Sequence, residues 1–258
     1  MRSIMVLVAA CGIWLLLFLA TTYAEDRDCS VPERFSTFEP ALTKTVKALA
    51  GGREVIIATL GGASTLGVAA GGSGLAWPTR LASVLAEKFP AARIKVVNLA
   101  VARQTAKRAA ERLDSDVLPL KPNLVIWETG TMEAVRGTDL DAFRETVRAG
   151  IDELRAARVE VVLMNMQFSR ETDTMIYFEP YLSAMRQLAD ANDVPLFHRH
   201  GIMRHWAESG VLDLRVKDGE KRRELAAKLY DCIGHAMADF VTRGVPTAKG
   251  AANPGRDR

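Results

Sequence analysis

The sequence predicts an α/β fold with a parallel sheet covered by helices on both faces. Two observations carry the prediction. Short β-branched runs alternate with longer stretches whose apolar residues recur every three or four positions. The repeated strand–helix–strand order then requires parallel pairing through right-handed crossovers.

The elements follow in order. After a lead-in from Cys29 to Gly52, the strands are expected at Val55 to Leu60, Ile94 to Asn98, Asn123 to Glu128, Val159 to Met164 and, briefly, Val194 to Phe197. Between them, helices are expected at Pro78 to Phe89, Gln104 to Leu118, Leu140 to Ala157 and Pro180 to Ala191. Leu81, Val84, Leu85 and Phe89 trace one buried face of the first of these helices. A last helix over Glu224 to Thr242 closes a single domain spanning residues 25–242.

Residues 1–24 read as an export signal. Arg2 supplies the positive start, Ile4 to Ala20 is an unbroken apolar run, and Thr22-Tyr23-Ala24 offers small residues for cleavage. The expected location is periplasmic or secreted, with an uncleaved N-terminal anchor as the alternative and the sole route to a membrane. Residues 243–258 read as a disordered basic tail. Of the formal charge of +3, the signal contributes +1 and the tail +3, which leaves −1 on the folded part, so nothing electrostatic suggests nucleic acid. Removing the signal leaves two cysteines, Cys29 and Cys232, which form a reasonable disulfide in an oxidising compartment.

In a parallel sheet, ligands bind at the carboxyl ends of the strands. The loops there are Gly61 to Gly67, Asn98 to Thr105 and Thr129 to Gly137. Their order and spacing resemble the SGNH (GDSL-type) hydrolase family of esterases and lipases. Gly61, Thr65 and Gly67 match the family's first block, Gly-Asp-Ser-x-Thr-x-Gly. Asn98 matches the second, Asn-x-Gly-x-x-Gly, and Gly130-Thr131-Met132-Glu133 aligns with the third, Gly-x-Asn-Asp. Leu229-Tyr230-Asp231-Cys232-Ile233 resembles the start of the last family helix.

The resemblance implies a three-layer flavodoxin-like sandwich with a five-stranded parallel sheet, and ester hydrolysis by a serine nucleophile without a cofactor or metal. Carried over residue by residue, the chemistry is missing. Ala63 stands at the nucleophile position, Gly62 at the preceding aspartate, Arg103 at the second-block glycine and Met132 at the oxyanion asparagine. Glu224 falls near the histidine position and Lys221 near its aspartate, with Asp218-Gly219 upstream marking a stretch that an insertion could displace. A methyl group offers no lone pair to attack an ester, and a thioether is not a hydrogen-bond donor.

One residue keeps hydrolysis open: Ser64, beside Ala63, is a candidate nucleophile if a non-standard base such as His200 or His235 serves it. A Ser-Thr pair after a strand more often caps a turn. His198, His200 and His205, with Glu208, offer the donor types of a zinc set, but no ligand from another part of the chain stands out to join them and no metal is assigned.

The expectation is therefore an exported, monomeric protein of this fold that lacks the standard catalytic residues and acts by binding or assembly in the cell envelope. An acylated glycan, a lipid or a small ester is the ligand class implied by the family. Arg103 and Met132 together suit an anion with an apolar part. The alternatives are an active carboxylic-ester hydrolase using Ser64 and a structural envelope protein held by its N-terminal segment.

Overall fold

Five strands, all parallel, build the sheet in the order β2-β1-β3-β4-β5 in a computed structural model that describes residues 29–35, 42–216 and 218–243. The expected export signal, most of the tail and Lys217 lie outside the described residues. The strands are β1 (Glu54–Leu60), β2 (Arg93–Asn98), β3 (Leu124–Glu128), β4 (Glu160–Met164) and β5 (Leu196–Phe197). Pairing puts Leu60 beside Trp127 and Glu128 beside Met164, so the strands end together along one carboxyl edge.

The period of two sorts β1 and β3 into two faces. Val55, Ile57, Leu124 and Ile126 enter one core with Leu81, Leu85, Ile233 and Met237. Ala58, Leu60, Val125 and Trp127 enter the other with Phe143, Val147, Ile151 and Met185. Helices α1 (Thr43–Ala50), α2 (Trp77–Lys88) and α9 (Gly219–Val241) cover the first face. Helices α3 (Ala106–Ala110), α5 (Leu140–Ala156) and α7 (Glu179–Ala191) cover the second. Three short elements sit at the carboxyl edge: α4 (Thr131–Arg136), α6 (Arg170–Met175) and α8 (Arg199–Glu208).

Several boundaries differ from the sequence reading for identifiable reasons. The lead-in contains α1, whose Lys44 and Thr45 amides both donate to the Glu160 carboxylate at 2.8 Å, a cap supplied from more than a hundred residues away. The single helix expected over Gln104 to Leu118 is three pieces: α3, a wide turn at Leu113–Val117 and a tight turn at Leu118–Leu120. The wide turn buries both Leu113 and Val117, and Pro119 prevents the helix from continuing. The last helix starts at Gly219 rather than Glu224 because the Asp218 side chain caps it, accepting from the Glu220 and Lys221 amides.

A disulfide joins Cys29 to Cys232, with Cα atoms 5.5 Å apart, and fastens the start of the described chain to α9. Trp206 of α8 donates its indole N–H to the Ser30 carbonyl at 2.9 Å and holds the same segment.

Candidate active-site pocket

The loop after β1 folds into a tight turn because successive carbonyls find amides a few residues on: Gly62 accepts from Leu66, Ala63 from Val68 and Ser64 from Gly67. Gly67 closes the turn at φ 80°, a conformation that favours glycine. Gly61 is demanded by crowding, since a Cβ there would lie 2.6 Å from the Glu128 carboxylate. The turn leaves Ala63 exposed and turns Ser64 and Thr65 inward.

Glu128, the last residue of β3, receives both hydroxyls. Ser64 Oγ donates to its Oε1 at 2.8 Å, Thr65 Oγ1 donates to Oε2, and the fully buried Arg199 pairs with Oε1 at 3.2 Å. Arg199 Nη1 also donates to Ser64 Oγ at 2.9 Å. The serine hydroxyl thus spends its proton on a carboxylate and one lone pair on a guanidinium. Among the described residues no histidine hydrogen-bonds it.

Asn98 pins the back of the same loop. Its amide donates to the Thr65 carbonyl at 2.7 Å while its oxygen accepts from Thr59 Oγ1 and the Ala100 amide. Behind the network, burial pushes the Tyr230 phenol above its ordinary value of 10; nearby Arg199 opposes that shift and Glu128 adds to it. The residues that match the family blocks, Gly61, Thr65, Gly67 and Asn98, are therefore those that shape the loop.

In front of the network lies a pocket of about 140 Å³, lined by the first-loop residues Gly62, Ala63 and Ser64, by Arg103 and Gln104, and by Glu128, Thr129, Thr131, Met132 and Gln167. The structure so brings Ala63, Ser64, Arg103 and Met132 together. It does not bring Glu224, which is exposed near the start of α9 and absent from the lining. Arg103 has φ 59°, the left-handed backbone suited to the glycine that the family pattern carries there. Beside Met132, Glu133 is 2 % exposed and caps two elements, accepting from the Ala106 amide at 2.6 Å and the Gly130 amide at 3.1 Å.

None of the four histidines lines the pocket. His200 Nε2 contacts Asp173 Oδ1 at 2.8 Å, its ring meets Phe168 and Phe178 edge-on, and burial holds its pKa below the usual 6.5 against the opposing pull of Asp173. His198 stands near Phe35, and burial lowers its pKa too. His205 lies on α8, and His235 lies on α9 with Nε2 3.8 Å from Asp231.

Sequence reading missed Glu128 and Arg199 as site residues. The signal for the first was an acid ending an otherwise apolar strand at the ligand-binding edge. Nothing local marked Arg199, whose partners are at least 32 positions away in sequence.

Solved structures share the architecture. A two-domain esterase (CEX) active on acetylated mannans superposes with a TM-score of 0.65 at 16% identity, over 83% of this chain. This chain spans only 57% of the length of that esterase. A catalytic mutant of Axe2, an acetylxylan esterase from Geobacillus stearothermophilus, gives 0.55 at 19% over 68% of this chain and 92% of its own. The psychrotrophic esterase EstA from Pseudoalteromonas sp. gives 0.53 at 19% over 70% and 98%. No curated protein sequence matches. At these identities the structures establish the SGNH hydrolase fold, and the family model that matches residues 28–247 goes further: the chain belongs to the Non-GDSL lipase-like family.

Proposed function

We propose that this chain is an exported SGNH-fold protein that binds an acyl- or ester-bearing ligand in the cell envelope and does not hydrolyse it. The observation that carries the reading is the pair Ala63 and Ser64. The exposed side chain at the nucleophile position is a methyl group, while the neighbouring hydroxyl is tied between Glu128 and Arg199. Met132 in place of an asparagine removes an oxyanion donor, a loss that costs roughly 2.7–4 kcal/mol of transition-state stabilisation where it has been measured.

Export rests on the apolar run and small-residue site within residues 1–24, and the Cys29–Cys232 bond suits an oxidising compartment. The ligand class draws on the neighbours active on acetylated mannans and acetylxylan, which makes an acylated glycan the leading candidate ahead of a lipid or a small ester.

One observation favours the competing reading of a Ser64 esterase: the hydroxyl lines the pocket and lies 2.8 Å from a carboxylate. Against it, that carboxylate is already paired with Arg199, which weakens it as a base, and the guanidinium donating to Oγ occupies one of its two lone pairs and lowers its nucleophilicity. Turnover of p-nitrophenyl acetate separates the two. Binding without hydrolysis predicts the same rate for wild type and Ser64→Ala, whereas loss of a measurable rate in Ser64→Ala supports the esterase.

A further inference from the structure

We propose that the pocket in front of Ser64 is a carboxylate-binding site in which Arg103 supplies the cation, Thr129 and Thr131 the hydroxyl donors, and Ala63 and Met132 the apolar wall. The inference rests on the reading above that this pocket binds without hydrolysing, and it narrows the ligand from any acyl or ester compound to one that presents a carboxylate to the pocket.

Charge comes first. Two ionised side chains line the pocket, Glu128 and Arg103. Glu128 is satisfied internally, with Arg199 against it and two hydroxyls donating to its oxygens. Arg103 makes no hydrogen bond or ion pair among the described residues and is exposed at the rim. The uncompensated charge of the pocket is therefore positive.

Donors come second. Thr129 is 6 % exposed, and its Oγ1, like that of Thr131, is buried without a hydrogen-bond partner. Both residues line the pocket. Buried hydroxyls in native proteins are normally paired; both are closed off from the pocket as they stand, and a turn of χ1 would bring either one to an acceptor there. A hydroxyl can donate to a carboxylate oxygen while the guanidinium fork takes the same planar group.

Backbone strain is the third observation. Arginine occupies a left-handed position at φ 59° where glycine would fit freely. Such conformations cluster at active sites and ligand clamps, and of the four non-glycine residues with positive φ among the described residues Arg103 is the one that lines this pocket. The volume of about 140 Å³ admits a group of a few heavy atoms, matching a carboxylate with a short alkyl or ring attachment against Met132. Two sources carry that group, a free short-chain acid and the uronate of an acidic sugar.

The test is an NMR titration of the purified protein with sodium butyrate, D-glucuronate, n-butylamine and methyl butyrate, following the amides of Ala63, Thr129 and Met132. One or both carboxylates are expected to shift these amides saturably and the amine not at all. Binding by butyrate alone assigns the free acid, and tighter binding by glucuronate assigns the sugar. Arg103→Gly is expected to weaken carboxylate binding about three- to tenfold, the range for an exposed charge-assisted contact, and to raise Tm because the strain is relieved. Arg103→Gln, which keeps the side-chain length, should weaken it similarly. Methyl butyrate binding as tightly as butyrate, with both Arg103 variants unchanged, would overturn the carboxylate site and leave the binding reading standing. Release of butyrate from methyl butyrate, abolished by Ser64→Ala, would instead overturn the binding reading.

Discussion

Replacing Glu128 by alanine should be among the most damaging single changes in this protein. The carboxylate is 5 % exposed and its partner Arg199 is 0 % exposed, so the variant leaves a full positive charge in the interior. Removing one member of a buried ion pair costs about 3–5 kcal/mol, because the survivor keeps its desolvation penalty and loses its compensation. The Ser64 and Thr65 hydroxyls lose their acceptor at the same time, which keeps the estimate at the upper end of that range. At about 2–4 °C per kcal/mol for a domain of this size, Tm should fall by roughly 6–20 °C. Urea unfolding followed by far-UV circular dichroism measures the loss. A companion Glu128→Leu/Arg199→Met variant should recover much of it, since replacing a buried pair with apolar residues is often neutral. A loss below about 1 kcal/mol for Glu128→Ala would refute the claim that this pair anchors the loop.

Gly61→Ala should cost about 1–3 kcal/mol by overpacking, because its Cβ would lie 2.6 Å from Glu128 Oε2; urea midpoints compare the two proteins. Reducing the Cys29–Cys232 bond should lower stability by about 2–5 kcal/mol, given the 203-residue separation it closes, and thermal melts with and without reductant report it. His200 and His198 have folded pKa values below the unfolded 6.5, so the unfolded chain binds more protons between the two values. Their contribution is complete above about pH 6.5 and is lost as pH falls through the folded values; His200→Gln should flatten the stability slope between pH 7.5 and 5 measured by urea titration.

The fold was legible because its signals are local. The continuous β-branched run Val55-Ile56-Ile57 in β1, and the spacing of Leu81, Val84 and Leu85 in α2, report burial directly. The three loops could likewise be placed at the carboxyl edge from strand order alone. What escaped was long-range. Helix α1 owes its cap to Glu160, and α8 buries Arg199 against residues on β3 and the β1 loop. The conformation of Arg103 was equally hidden, since a left-handed arginine leaves no trace in composition. Ser64 shows the limit most clearly: a serine beside the nucleophile position reads as a rescue, and only its contacts with Glu128 and Arg199 give it a loop-anchoring part.

The most direct measurement is labelling of the folded protein with a serine-directed fluorophosphonate, mapped by peptide mass spectrometry. If the hydroxyl of Ser64 is held between Glu128 and Arg199 and Ala63 is inert, no adduct forms on the peptide that carries them. A stoichiometric adduct on Ser64 would contradict binding without hydrolysis and make the chain an esterase.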